Sequence, residues 1–265
     1  MTDTAPTGQR NSPPIDTASV EAVPAPLARP RVDTMPAPMG GWTHAKVVEV
    51  RHPTPRSVIL RLDLPNRVNH LPGQHYVIRL TADDGYTASR SYSVASPPSD
   101  PLLEFWIERL DDGEVSSFLA DVVEAGDELE VRGPIGGWFV WDGTAPGVGV
   151  GGGSGAVPLV AMTRHAAAVG MPGLLRLAVS ARTLDDVPYH DELAAIGATI
   201  ALSRAANGDR PAGRLTSNEL KPLVIAGATT FVCGSAGFAE FASSLLVDLG
   251  CPSADVRVER FGPSG

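Results

Sequence analysis

The stretch Gly147-Val148-Gly149-Val150-Gly151-Gly152-Gly153-Ser154-Gly155-Ala156-Val157-Pro158 passes from an apolar strand through a glycine-rich loop into a helix. Glycines at such a junction let the backbone approach a phosphate closely, and the helix N-terminus adds a partial positive charge. Pro158 in the first turn is compatible with a helix. The spacing differs from the G-x-G-x-x-G fingerprint. A flexible linker is the alternative, but Val148 and Val150 give the approaching strand a core and disfavour it.

Downstream of residue 142, apolar strands alternate with helices. This alternation is typical of a doubly wound parallel sheet, which we expect to form a nucleotide-binding domain over 142–265. Strands are predicted at 147–150, 174–180, 199–203, 229–233 and 256–260, and helices at 156–169, 190–196, 216–220 and 238–249.

Upstream, short runs rich in Val, Ile, Leu and aromatic residues are separated by Pro, Gly, Asp or Asn. They predict a six-stranded antiparallel barrel domain over 41–141, interrupted by one short helix at 116–123. Residues 1–40, rich in Pro and Ala, predict a disordered tail, with a binding motif as the alternative. The barrel strands are predicted at 45–50, 57–62, 75–80, 89–94, 102–109 and 128–132.

Composition excludes several classes of function. A net charge of −9 without a basic tract argues against binding to nucleic acids or anionic membranes. The two cysteines form no C-x-x-C pair, so no iron–sulfur cluster or zinc ribbon is expected. The histidines lack metal-binding spacing, and no G-x-S-x-G elbow indicates a hydrolase. Without a signal peptide or an apolar span, the chain is expected to be cytoplasmic.

A second group of candidate ligand-binding residues lies on the predicted strand at 89–94. Alternation places Arg90 and Tyr92 on one side of this strand, where both face a common ligand. An arginine neutralises a diphosphate, and a tyrosine packs on a planar ring while its hydroxyl stays available. Ser93 offers a hydroxyl and a backbone group to a polar ring edge. The alternative is an ordinary strand with a solvated arginine.

Four motifs occur in the same order as in a known family. Arg90-Ser91-Tyr92-Ser93, the glycine-rich loop, Cys233-Gly234-Ser235 and Glu259-Arg260-Phe261-Gly262 together resemble the ferredoxin–NADP reductase family. The resemblance covers about residues 41–265. It implies a two-domain β plus α/β fold that passes electrons between a nicotinamide and FAD. In this family Arg90 would contact the flavin phosphates, Tyr92 would pack on the flavin ring, and Ser93 would reach its N5 region.

A short segment within the barrel domain also resembles a flavin-phosphate segment of the family. Gly113-Glu114-Val115-Ser116-Ser117 precedes the predicted helix, where free backbone N–H groups bind phosphate. Gly113, Val115 and Ser116 are therefore candidate FAD ligands, and a plain helix cap is the alternative. Two phosphate-binding segments favour FAD over FMN.

The later motifs supply candidates for the nicotinamide side. Gly152, Gly153, Ser154 and Gly155 are expected to bind the pyridine nucleotide. By resemblance, Cys233 and Gly234 lie near the reacting carbon, and Glu259 and Phe261 lie near the flavin–nicotinamide contact. Ser93, Cys233 and Glu259 are the catalytic candidates. For Cys233 the alternative is that it is a buried small hydrophobic residue. Four residues follow Phe261, so it is not a C-terminal aromatic as in the family.

Coenzyme choice is expected to depend on arginines at strand ends. Arg182 follows the second strand of the parallel sheet and Arg204 the third, whereas an acid there would select NAD. Both arginines therefore favour NADPH over NADH, and solvated loop residues are the alternative.

The predicted function is a reductase that moves hydride from NAD(P)H to FAD and single electrons to a separate acceptor. A ferredoxin, a flavodoxin or an oxygenase component is the expected partner. The alternatives are a reductase of free flavin or ferric chelates, and an electron-shuttling or regulatory subunit without turnover of its own.

Overall fold

Two β-sheets organise the part of the chain that the structure, a computed structural model, describes: residues 1–2 and 41–262. Apart from its first two residues, the predicted tail at 1–40 lies outside the described residues. The first sheet is antiparallel and the second is parallel. The predicted β plus α/β fold class is therefore confirmed.

The antiparallel sheet forms a barrel with strand order β4-β3-β6-β1-β2-β5. A bridge between Val94 and Phe105 joins the two edges. Tyr76 and Phe105 are fully buried in its core, 6.1 Å apart between ring centres. Its elements are β1 (Thr43–Thr54), β2 (Ser57–Asp63), β3 (His75–Thr81), β4 (Thr87–Ser93), β5 (Leu103–Glu108), α1 (Glu114–Asp121) and β6 (Glu128–Ile135).

The parallel sheet has the order β11-β10-β7-β8-β9, with α2 packed on one face and α5 on the other. This is the doubly wound arrangement that the alternation of strands and helices predicts. Its elements are β7 (Gly147–Gly152), α2 (Val157–Ala168), β8 (Leu175–Ala181), α3 (His190–Ala195), β9 (Thr199–Leu202), α4 (Ser217–Leu220), β10 (Thr229–Ser235), α5 (Ala236–Asp248) and β11 (Val256–Phe261).

The predicted elements are all present, and the largest difference is in β1. It was expected over 45–50 but extends over Thr43–Thr54, because its second half continues to pair with β2 past a register shift. Arg51 pairs with Ile59 there, and Thr54 pairs with Ser57 at the hairpin end. These added residues are mostly polar and exposed, so they lack the apolar pattern by which a strand is recognised.

The alternation of glycine and valine in β7 sets how closely the helices pack. Val148 and Val150 are buried on the α5 side of the sheet. On the α2 side, a Cβ at Gly149 would lie 3.2 Å from Leu159 Cδ2 of α2, and a Cβ at Gly151 would lie 2.9 Å from Ala156 Cα, just before α2 begins. Side chains at these positions would push α2 away, so the glycines keep the start of α2 against the sheet.

The barrel and the parallel sheet meet in an apolar cluster, here called the seam, made of Ile59, Ala95, Trp106, Val157 and Tyr189. Residues 41–262 fall within one compact unit. The expected boundary between domains at 141 and 142 therefore remains a prediction.

The segment before that boundary packs with the second sheet. Phe139 and Trp141 are buried in the same hydrophobic cluster as α2, and the Phe139 ring lies 5.3 Å from that of Phe231. Among the helices of the described residues, none has the length and apolar character needed to cross a membrane.

Candidate active site

A cleft of about 1780 Å³ lies between the two sheets. It exceeds the roughly 300–1,000 Å³ of an ordinary small-ligand pocket. Most of the predicted site residues line it. On the barrel side these are Arg90, Tyr92, Ser93, Gly113, Val115 and Ser116, and on the nucleotide side Gly152, Gly153, Ser154, Arg182, Glu259 and Phe261.

The end of β4 forms the barrel wall of the cleft. Arg90 and Tyr92 pair in register with Ile78 and Tyr76 of β3, so they leave the same face of β4. Arg90 is exposed and donates a hydrogen bond to the carbonyl of its neighbour Ser89 at 2.8 Å. Among the described residues no carboxylate pairs with it. Its charge is therefore available to an anion in the cleft.

Tyr92 and Ser93 form a more buried part of the same wall. Tyr92 packs against the barrel core, and burial raises the pKa of its phenol, with a smaller lowering by Arg90. Ser93 Oγ is buried and has no hydrogen-bond partner among the described residues. A buried hydroxyl without a partner costs free energy, which a ligand in the cleft would recover.

The N-terminus of α1 contributes backbone donors to this wall. Gly113 occupies the N-cap without a side-chain cap, so N–H groups of the first turn are left free. The hydroxyl of Ser116 accepts from the Leu110 N–H and donates to the Gly113 carbonyl, both at 3.2 Å. Ser116 is therefore placed to offer its backbone N–H to a phosphate, since its hydroxyl is already engaged.

The glycine-rich loop forms the opposite wall. Gly152, Gly153 and Ser154 line the cleft, and Gly153 has a φ of +54° with open space where a Cβ would be. Gly155 is buried behind them and does not line the cleft. The loop continues through a single 3₁₀ turn into α2, whose second residue is Pro158.

Cys233 and Glu259 are neighbours on β10 and β11, where they pair in register. Glu259 lines the cleft, and its Oε2 is buried without a hydrogen-bond partner in the described part of the chain. Burial raises the pKa of Glu259 to about 7. Cys233 is fully buried, and burial together with the charge of Glu259 raises the pKa of its thiol.

The candidates on β10 and β11 therefore differ in whether they reach the cleft. Glu259 and Phe261 line the cleft, whereas Cys233 and Gly234 lie beneath its surface. A role for Cys233 in placing the nicotinamide stays a prediction.

The two arginines expected to select the coenzyme are placed differently. Arg182 lines the cleft, but its Nη2 pairs with Asp186 at 2.7 Å and with Glu108 of β5 at 3.4 Å. Arg204 does not line the cleft, although its N–H bonds to the carbonyl of Arg182. A positive group at the end of β8 is thus partly neutralised by the protein itself.

Sequence reasoning missed two features. Arg214 lines the nucleotide side of the cleft without an ion pair in the described residues, and its Cζ lies 5.7 Å from the centre of the Phe241 ring. It follows β9 in a loop without a motif. The second is Glu104, which is buried at the seam. It is the one acidic residue inside the apolar run at 102–107, and this pattern indicates a buried carboxylate that needs a partner.

A flavin dinucleotide fits the residues present. The barrel wall offers a free guanidinium, an uncapped helix start and a buried hydroxyl in need of a partner, at Arg90, Gly113 and Ser93. Arg132 Nε, also in the cleft lining residues, is a further buried donor without a partner. Donors and cations of this kind match a diphosphate and a polar ring edge.

The β plus α/β fold is the one found in ferredoxin–NADP reductase structures. Comparison with known proteins supports this assignment. Residues 44–140 match the family model described as the oxidoreductase FAD-binding domain. The predicted resemblance to this family is confirmed, and the first of the four motifs, Arg90-Ser91-Tyr92-Ser93, lies within the matched residues.

Two relatives and one solved structure illustrate the likeness. The ferredoxin–NAD(P)(+) reductase component of naphthalene 1,2-dioxygenase/salicylate 5-hydroxylase systems from Ralstonia sp. is 27% identical over 216 residues, covering 78% of this chain and 65% of that protein. The reductase component of propane 2-monooxygenase from Gordonia sp. (strain TY-5) is 33% identical over 159 residues, covering 58% and 45%.

The structure of a ferredoxin NADP+ reductase from Neisseria gonorrhoeae with bound FAD and NADP has a TM-score of 0.72 and 20% identity. The match covers 83% of this chain and 98% of that one. In contrast, the chain spans less than two thirds of the length of the Ralstonia and Gordonia relatives.

Proposed function

We propose that this protein is an NAD(P)H-dependent FAD oxidoreductase that serves as the reductase component of a multicomponent system. The observation that carries the proposal is the cleft between the two sheets, where the exposed Arg90 and the free N–H groups of α1 lie opposite a glycine-rich loop. Bound FAD would accept a hydride from the nicotinamide and release electrons singly. The protein's task is to align the two cofactors and exclude water.

On the barrel wall, Arg90 and the free N–H groups at the start of α1 would hold the FAD diphosphate. Tyr92 would pack on the flavin ring, with its phenol kept protonated by burial. Ser93 Oγ, which has no partner among the described residues, would donate to the polar edge of the ring. These roles use groups that the fold itself leaves unsatisfied.

On the other wall, Gly152, Gly153 and Ser154 would bind the nucleotide diphosphate at the N-terminal end of α2. Glu259, at the carboxyl end of β11, would stand beside the reacting groups, as ligands bind at this edge of open parallel sheets. With a pKa of about 7, Glu259 would hold or release a proton near neutral pH.

Coenzyme preference is proposed to depend on Arg214 more than on Arg182. Arg182 already faces the carboxylates of Asp186 and Glu108, whereas Arg214 has no such partner in the described residues. A 2′-phosphate would gain more from the unpaired guanidinium. NADPH is therefore the proposed coenzyme, with NADH as the alternative outcome.

The proposed acceptor is a separate electron-transfer protein, a ferredoxin, a flavodoxin or an oxygenase component. The relatives named above are reductase components of oxygenase systems. Within residues 41–262 the two cysteines, Cys233 and Cys251, are both buried and unpaired.

The test begins with the absorbance spectrum of the purified protein reconstituted with FAD. Anaerobic addition of NADPH or NADH should bleach the flavin, and addition of a candidate ferredoxin or oxygenase component should restore the oxidised spectrum. Bound flavin that neither coenzyme bleaches would favour a subunit without turnover. Rapid turnover with ferric chelates alone would favour a small-molecule reductase.

A further inference from the structure

A buried cluster of charged and aromatic side chains joins the barrel to the parallel sheet at the seam. Its centre is Glu104 of β5, whose side chain is only 7% exposed. Its Oε1 accepts hydrogen bonds from Arg164 Nη1 of α2 and from the hydroxyl of Tyr189, both at 2.8 Å. A carboxylate of the barrel sheet is thus held by a residue of α2 and by the residue just before α3, both of which pack with the parallel sheet.

Arg164 connects Glu104 to further groups on both sides. Its guanidinium makes a two-point contact with Glu192 of α3, at 2.8 Å through Nε and 2.7 Å through Nη2. Its Nη1 also donates to the carbonyl of Ala95 at 3.1 Å. Burial disfavours the charge of Arg164, but hydrogen bonds to Glu192 and Glu104 outweigh it and raise the pKa of the guanidinium.

The barrel holds the second oxygen of Glu104. Arg61 Nε and Arg51 Nη2 each lie 3.4 Å from Oε2, and Arg61 Nη2 is fixed by Asp100 at 2.8 Å. Both contacts are longer than the 2.8 Å bonds to Oε1, and Arg61 Nε makes no hydrogen bond in the described residues, so they act mainly through charge. Both oxygens of Glu104 are therefore held, one from each side of the seam.

Tyr189 has an unusual backbone conformation. Its φ is +54°, in the left-handed region that bulky residues rarely adopt. Such conformations persist where surrounding contacts determine them, and they cluster at functional sites. Here the ring lies 5.1 Å from Trp106 of the barrel and 4.3 Å from the Arg164 guanidinium. The turn before α3 is thus adapted to contacts across the seam.

The cluster is connected directly to the cleft. Trp106 and Val157 belong to the seam and also line the cleft. Val157 is the first residue of α2 after the glycine-rich loop, and Arg164 lies on the same helix, about two turns further on. A single helix therefore carries the nucleotide-binding loop at one end and the contact with Glu104 near the other.

We propose that Glu104 and Tyr189 are positioning residues that fix the parallel sheet against the barrel and thereby align the two walls of the cleft. The inference rests on the proposed function, because it gives the contact a role in hydride transfer. Neither side chain lines the cleft. Their effect on transfer therefore acts through the orientation of the two sheets.

The test uses the FAD-loaded protein and two conservative variants. Tyr189→Phe removes the hydroxyl but keeps the ring beside Trp106 and Arg164, and Glu104→Gln keeps the shape of the side chain. We expect the limiting rate of flavin reduction at saturating NAD(P)H to fall about tenfold to a hundredfold, the effect of a small misalignment. FAD content and the half-saturating NAD(P)H concentration should not change.

Glu130→Gln is the matched control. Glu130 pairs with Arg79 through two contacts, at 2.7 and 2.9 Å, but both residues belong to the barrel sheet. This variant should leave the rate of flavin reduction unchanged. Reoxidation of photoreduced protein by ferricyanide, which needs no nicotinamide, should be equal in all variants.

Hydrogen exchange provides a second measurement that does not depend on turnover. In Tyr189→Phe we expect faster exchange in α2 and β5, and no change in β6. Wild-type reduction rates or unchanged exchange in both variants would overturn the positioning role, as would an equal loss of rate in Glu130→Gln. If neither coenzyme reduces the wild-type flavin, the proposed function fails, while exchange still decides whether the contact holds the sheets together. If Glu104→Gln does not fold, Tyr189→Phe alone decides the question.

Discussion

Gly155 and Cys233 touch through their backbones at the carboxyl edge of the parallel sheet, with no room for a side chain between them. A Cβ on Gly155 would lie well inside van der Waals distance of the Cys233 carbonyl oxygen and 2.7 Å from the nitrogen of Gly234. Cys233 in turn pairs in register with Glu259. The position of the glycine-rich loop is therefore set by the same strand that positions Glu259.

Gly155→Ala should push the loop away from β10. Overpacking of this kind costs about 1–3 kcal/mol of stability, and we expect the half-saturating concentration of NAD(P)H to rise. FAD content should be retained, because Arg90 and α1 lie on the barrel wall. Chemical denaturation and coenzyme titration of flavin bleaching measure the two effects. Gly173→Ala is the control, since a Cβ there meets no atom within 4 Å; equal behaviour of the two variants would contradict the prediction.

Arg90→Ala should weaken FAD binding by about 1.5–3 kcal/mol, the range for a hydrogen bond to a charged group. Protein stability without FAD should be unaffected, because Arg90 bonds only to the carbonyl of Ser89 among the described residues. FAD titration by fluorescence measures the change. Arg176→Ala is matched to it, as Arg176 also bonds one backbone carbonyl, that of Pro222. Equal FAD affinity in both variants would remove Arg90 from the site.

Glu259 should make stability depend on pH near neutrality. Burial raises its pKa from 4.5 to about 7, so the folded protein holds this proton more tightly than the unfolded chain does. The stability that it contributes is complete below its unfolded pKa and is lost as pH rises through about 7. Glu259→Gln should therefore become more stable relative to wild type between about pH 5 and pH 8. Denaturation across this range measures the difference, with Glu240→Gln, at an exposed position of α5, as the control.

Arg214→Ala should raise the KM for NADPH by about tenfold or more, the loss of one charge-assisted hydrogen bond, with little change for NADH. Arg182→Ala should affect both coenzymes alike, because its partners Asp186 and Glu108 would be left unpaired on the cleft wall. Steady-state kinetics with both coenzymes separate these outcomes. A selective loss of NADPH use in Arg182→Ala would instead indicate that Arg182 binds the 2′-phosphate.

Most of the fold could be predicted from local sequence patterns. The valines of β7 and its glycine-rich continuation mark a strand, a loop and a helix within a dozen residues, and the structure has all three. The motifs around Arg90 and Glu259 could be proposed as parts of the site because they resemble those of the reductase family, and both residues line the cleft. Such inferences depend on short-range periodicity, which a sequence displays directly.

Contacts between distant segments could not be predicted in this way. Nothing near Arg182 in the sequence indicates that Glu108, on a barrel strand, would pair with it. The burial of Cys233 below the cleft follows from the close approach of Gly155, which requires the packed loop to be known. The contact between Glu104 and Arg164 likewise depends on how two sheets meet.

The contact between Glu104 and Arg164 also bears on how this fold is assembled by exchange of parts. A chimera that joins this barrel to the nucleotide-binding half of a different reductase would keep Glu104 with the more distant Arg51 and Arg61 but without Arg164 and Tyr189, the partners of its Oε1. Removing one partner of a buried ion pair costs about 3–5 kcal/mol. Coenzyme preference should therefore be easier to change by substitutions in the cleft than by exchanging the whole nucleotide-binding half. An exchange of that half should succeed only if Glu104, Arg164 and Tyr189 all come from the same protein.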